Sequence, residues 1–152
     1  MAEDRVRAFG KYQVVRGDEG VLEFSALGPV QTDANSGFSH HGVVGAELDL
    51  GDGCAAAERC AFALLTAAQD YLGDLDRLLA IRRVRVFVAT VAGFAEHVAI
   101  ADAASEVLVH RLGSRGVHAR TVVGVASLPF NLPVVVEMTA RTDPPRENTD
   151  DA

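Results

Sequence analysis

Arg120 is the residue whose type and setting promise chemistry most directly. It stands at the mouth of Thr121-Val122-Val123-Gly124-Val125-Ala126-Ser127-Leu128-Pro129, a stretch that is almost wholly apolar. Such a run predicts a central strand buried on both faces. A guanidinium in an apolar wall needs an anion, because an unpaired buried charge is expensive. No acid is adjacent in the sequence. The partner is therefore either a remote acid such as Glu137 or the carboxylate of a ligand, which a planar fork meets with two parallel hydrogen bonds.

The other reactive residue types offer less. His40 and His41 are neighbours whose side chains point apart, and His97 and His110 are too far apart in sequence for a tight ligand pair, so no metal site is expected. His118 lies two residues before Arg120 and could help bind an anion there, although a surface role is the simpler reading. Cys54 and Cys60 would be separated by ~9 Å of rise on one helix, too far for a disulfide, and are read as packing residues. No glycine-rich loop suited to phosphate appears, and no cofactor is expected.

These residues need elements to hold them. Tyr12–Arg16 and Val21–Ser25 read as two strands of a hairpin around Gly17-Asp18-Glu19-Gly20. Residues 28–40 read as a loop and His41–Leu48 as a short strand. Asp52 is a plausible N-cap for a helix from about Cys54 to Leu72, ended by Gly73. Its stripe is Cys60, Leu64, Ala67 and Tyr71. Asp74-Leu75-Asp76-Arg77 forms a capped turn, and Ile81–Thr90 a strand. A second helix from about Phe94 to Leu112 ends at Gly113, with the stripe Phe94, Val98, Ala101, Ser105, Leu108 and Leu112. The Arg120 strand, a turn at Leu128-Pro129 and a strand from Pro133 to Arg141 follow. This order predicts one α+β domain over residues 1–141, a mixed sheet with two helices on one face. Residues 142–152 read as a disordered acidic tail, and residues 1–9 as loosely held.

The 152 residues and 49% hydrophobic content allow a substantial core. The net charge of −7 argues against nucleic acid and anionic membrane surfaces, which recruit clustered Lys and Arg. The local run Arg82-Arg83-Val84-Arg85 fits a strand with one wet face better than a phosphate stripe. No apolar run reaches the ~18–20 residues of a membrane span, and no signal peptide is recognised, so a cytoplasmic location is expected.

Read as a whole, His118-Ala119-Arg120-Thr121-Val122-Val123-Gly124-Val125-Ala126-Ser127-Leu128-Pro129 resembles the C-terminal signature of the Rid (YjgF-type) proteins, the reactive-intermediate deaminases. The branch it most resembles is labelled endoribonuclease L-PSP-like. Gly42-Val43-Val44-Gly45, Leu72-Gly73-Asp74-Leu75-Asp76-Arg77 and Val134-Val135-Val136-Glu137 match in the same order, and the set covers roughly residues 10–141. The resemblance implies a chorismate-mutase-like fold and a homotrimer in which three sheets form a central barrel and ligand clefts lie between subunits. It implies hydrolysis of reactive 2-imino or 2-enamino acids to 2-oxo acids and ammonia, with Arg120 gripping the substrate carboxylate.

The same resemblance nominates Arg120 and Glu137 as catalytic, and Arg120, Tyr12, Ser25, Asp102 and Val122 as substrate-binding. Tyr12 matches the family's N-terminal tyrosine; its structural alternative is a packed hairpin aromatic. Ser25 matches the serine of a Ser-Gly-Gln stretch, which here reads Ser25-Ala26-Leu27. Asp102 occupies a second-helix position where many relatives carry asparagine, and a carboxylate there would repel a bound carboxylate unless protonated or turned away. Active relatives usually carry a glutamate where this chain has Val135. Glu137 lies one repeat of ~7 Å further along the same strand face. It replaces that glutamate only if the cleft is displaced or the register differs; otherwise it is a salt-bridge partner of Arg120 or Arg141. These departures keep a second reading open, a non-catalytic small-molecule binder or specialised biosynthetic protein on the same scaffold. A ribonuclease is the third and weakest.

Overall fold

The computed structural model describes residues 6–31 and 37–144. One five-stranded mixed sheet and two α-helices, with three short 3-10 turns, account for the regular structure among them. The strands are β1 (Val15–Asp18), β2 (Val21–Leu27), β3 (Leu78–Ala89), β4 (Ala119–Val125) and β5 (Val134–Thr142), and the helices are α1 (Leu50–Leu72) and α2 (His97–Leu112). The sheet order is β1-β2-β5-β3-β4. Only β3 and β4 run parallel, joined through α2; the other neighbours are antiparallel.

Local chemistry explains where the elements begin and stop. The β1–β2 hairpin turns at Glu19 and Gly20, both at positive φ (45° and 82°), the backbone that the twist of a two-residue hairpin favours. The turn is thus shorter than expected from sequence, and β1 starts at Val15 rather than Tyr12. Asp49, not Asp52, caps α1. Its side chain accepts from the Asp52 amide at 2.8 Å while Asp52 accepts from the Asp49 amide at 3.0 Å, a reciprocal capping box. Gly73 ends α1 at φ 77°, its amide bonded to the Gln69 carbonyl.

The expected strand over His41–Leu48 is instead a series of turns. Gly42 and Gly45 sit at φ 125° and 94°, outside the strand region, and only Val44 makes isolated bridges, to Leu48 and Thr90. The second helix begins at His97, three residues later than expected.

Alternation along the strands assigns the two faces of the sheet. Val134, Val136, Met138 and Ala140 of β5, and Val84, Val86 and Val88 of β3, are buried beneath the helices. Alanine-rich α1 approaches closely, with Ala56, Ala57, Cys60, Ala61, Leu64 and Ala68 fully covered. Tyr71, expected on the buried stripe, is 50% exposed, and so is Val98 of α2 at 58%; Ile100, Ala104 and Leu108 form the inner face of α2 instead. Each fully buried Leu or Ile contributes ~1.5–3 kcal/mol of burial free energy.

The opposite face carries Arg83, Arg85, Glu137, Thr139, Glu23 and Thr121 and has no helix over it among the described residues. Arg83 donates to Thr121 and Arg85 to Glu137, so the basic run does lie on a strand with a wet face.

β4 overturns the expectation of a doubly buried central strand. It is the edge of the sheet, and none of its residues is fully buried. An apolar strand reads as central from composition, but position in a sheet is set by pairing. The C-terminal strand inserted between β2 and β3 and left β4 outermost. Thr142 still belongs to β5 and Asp143 pairs with Arg77 at 3.0 Å, so ordered chain extends past residue 141. Residues 145–152 of the expected tail, residues 1–5 and residues 32–36 of the expected loop lie outside the described residues.

Candidate functional site

The parallel pairing Val84↔Arg120 puts Arg120 on the helix-covered face of β4. Its guanidinium therefore reaches towards α2, where Asp102 and Ser105 stand one turn apart and share a helix face. Arg120 Nη1 donates to Asp102 Oδ1 at 2.8 Å and to Ser105 Oγ at 3.0 Å. Both bonds leave from one nitrogen. Arg120 is 21% exposed and Asp102 53%, so the pair is screened by water on the acid's side.

The same turn-by-turn spacing continues along α2. Asp102, Ser105, Glu106, Val109 and His110 line an open groove of about 490 Å3, and Arg120 is bonded to two of its walls.

His118, expected at the surface, is half-buried inside this network. Its Nδ1 lies 2.5 Å from the Gly116 carbonyl and its Nε2 2.9 Å from Ser105 Oγ. A carbonyl only accepts, so Nδ1 carries the proton and Nε2 accepts from the serine hydroxyl. Burial pushes the imidazole below its ordinary value; the Gly116 carbonyl works against that shift and the Arg120 charge adds to it. Gly116 itself admits no side chain, because a Cβ there would collide with the Leu108 carbonyl. Close contact with α2 is what lets the segment deliver His118.

The remaining nominated residues do not gather here within one chain. Val122 is half-buried on the same face as Arg120, paired with Val86 and packed against the core. Glu137 faces the other way. It pairs in register with Arg85 and its Oε1 accepts from Arg85 Nη1 at 3.2 Å. It is the salt-bridge partner of neither Arg120 nor Arg141; strand parity, which separates 120 from 137 across the thickness of the sheet, forbids the first pairing.

Ser25 donates to the Gln13 carbonyl at 2.6 Å, and Tyr12 is 48% exposed with its hydroxyl accepting from the Phe9 amide. Both belong to the β1–β2 side. Three strand spacings, roughly 14 Å, separate β2 from β4. Within one chain Tyr12 and Ser25 therefore stand apart from Arg120.

Two members of the network, Ser105 and His118, were missed as a pair by sequence reasoning. The legible signal was the Asp102/Ser105 spacing of three on a helix, together with a histidine two residues before the arginine. Among the described residues no group of three His, Cys, Asp or Glu is placed to hold a metal ion, and no helix is long and apolar enough to cross a membrane. Cys54 and Cys60 are both free thiols on α1.

No family model matches the chain. Among solved structures, Atu1372 from Agrobacterium tumefaciens, a protein of unknown function, is 31% identical with a TM-score of 0.84, over 88% of this chain and 83% of that one. YjgF of E. coli shares the fold at 20% identity and a TM-score of 0.65, covering 92% and 94% of the two chains. E. coli TdcF with bound serine gives 16% identity and a TM-score of 0.64, covering 94% and 97%. The chain thus has the fold of the Rid (YjgF-type) proteins. Among characterised sequences, protein TCP17 of Trypanosoma cruzi is 40% identical over 97 residues, and the chain spans 61% of that protein's length.

Proposed function

We propose that this protein hydrolyses small reactive 2-imino or 2-enamino acids to 2-oxo acids and ammonia, in clefts between the subunits of a homotrimer. The observation that carries the reading is Arg120, a guanidinium bonded to Asp102 and Ser105 in the wall of an open groove, with both hydrogen bonds confined to Nη1. The rest of the fork is left for a carboxylate. Water adds to the imine carbon, the C–N bond breaks, and ammonia departs. The imine is already labile in water, so positioning and charge stabilisation suffice. TdcF, which has this fold, binds serine, a small amino acid with a carboxylate. The exposed apolar edge of β4 and the separation of Tyr12 and Ser25 from Arg120 favour sites completed by a second chain.

A second reading, a binder without turnover, is favoured by the Asp102 carboxylate already on Arg120 and by Val135 where active relatives carry a glutamate. The two are separated by supplying a freshly generated 2-imino acid and following 2-oxo acid release, alongside light scattering for subunit number. Deaminase function predicts release well above the buffer rate and its loss in Arg120→Ala. Release at the buffer rate, with 2-oxo acids still bound, establishes the binder instead.

A further inference from the structure

The hydrogen-bonded line Gly116 carbonyl, His118, Ser105, Arg120, Asp102 contains more than an anion clamp. His118 Nδ1 is committed to Gly116, which fixes the ring and aims a lone pair on Nε2 at Ser105 from 2.9 Å. The serine proton therefore points at a base whose orientation is set by a third group, the arrangement that activates a hydroxyl nucleophile. Arg120 donates to the same oxygen from 3.0 Å, placing a positive charge beside any anion that forms there. Ser105 also lines the open groove, so substrate can reach it.

We propose that Ser105 and His118 form a nucleophile–base dyad that gives this protein an acyl-transfer activity on small esters and thioesters. This activity is separate from imine hydrolysis and does not rest on it. Ser105 Oγ attacks the acyl carbon as its proton passes to His118 Nε2, and the resulting oxyanion faces Arg120. The carbonyl re-forms, the bond to the leaving oxygen or sulfur breaks, and the alcohol or thiol leaves with the proton held by His118. Water then attacks the acyl-serine, gives its proton to His118, and Ser105 recovers it as the acid departs. One ester and one water become one acid and one alcohol. Burial, which lowers the proton affinity of His118, keeps it in the neutral, proton-accepting form at neutral pH.

The test is to incubate the full-length protein with an alkyl fluorophosphonate probe, then measure intact mass and map the adduct. The expected result is one adduct, on Ser105, absent in Ser105→Ala and formed at least tenfold more slowly in His118→Gln. p-Nitrophenyl acetate should show a burst matching the number of active chains. A wild-type protein that takes no adduct at Ser105, or takes it at another residue, overturns the proposal without any variant having to fold. A His118→Gln protein labelled at the wild-type rate overturns it too. Because neither readout involves an imine, a protein inert to 2-imino acids can still pass, and an active deaminase can still fail.

Discussion

Replacing Asp102 by asparagine tests whether Arg120 is an anion clamp restrained by its own neighbour. The carboxylate sits 2.8 Å from Nη1 and would face a ligand carboxylate seated on the other edge of the fork, roughly 6 Å away. With Asp102 53% exposed, the medium between them is closer to water than to protein. At an effective dielectric of about 40 to 80, the repulsion is roughly 0.7–1.4 kcal/mol. Removing it tightens binding roughly three- to tenfold. An ion pair this exposed contributes only ~0–1 kcal/mol to stability, so the variant folds. Calorimetric titration with pyruvate at low salt reads the change, which shrinks as added salt screens the charges. Asp102→Asn binding no tighter than wild type, or more weakly, refutes the reasoning. It would mean that Asp102 positions the guanidinium rather than competes for it.

Three further outcomes follow from the geometry. Gly116→Ala drives a Cβ against the backbone of Leu108 and Val109, which has no flexible end to yield. It costs about 1–3 kcal/mol and lowers Tm by roughly 3–10 °C in a thermal melt; an unchanged Tm would show that the close approach is not tight. Gly73→Ala forces a side chain into φ 77° at the end of α1 and costs about 1 kcal/mol by urea unfolding, whereas no loss would mean the cap relaxes. The folded-state pKa of His118 lies below its ordinary value of 6.5. The unfolded chain therefore takes up this proton first as the pH drops. The stability contribution is complete above about pH 6.5 and is lost as pH falls through the window below it. Urea midpoints across that window should fall with acid in the wild type and fall less in His118→Gln; parallel curves would rule the histidine out as the cause.

The sequence by itself determined the two helices, the hairpin and the three strands that follow α1, and it singled out Arg120 as a candidate. Each of these is written in local periodicity, in turn residues such as Gly73, or in the unusual presence of a guanidinium in an apolar run. The ordered motifs also led to the right fold. Tertiary structure decided the rest, because pairing and parity are not local properties. Insertion of β5 between β2 and β3 turned a strand that reads as central into an edge. Alternation along β4 and β5 put Arg120 and Glu137 on opposite faces. Packing of α2 on that edge gave Arg120 the partners Asp102 and Ser105 and drew His118 in behind them. Residues 102, 105, 118 and 120 meet because a parallel β–α–β connection folds its helix back over its second strand, and no short window of sequence records that return.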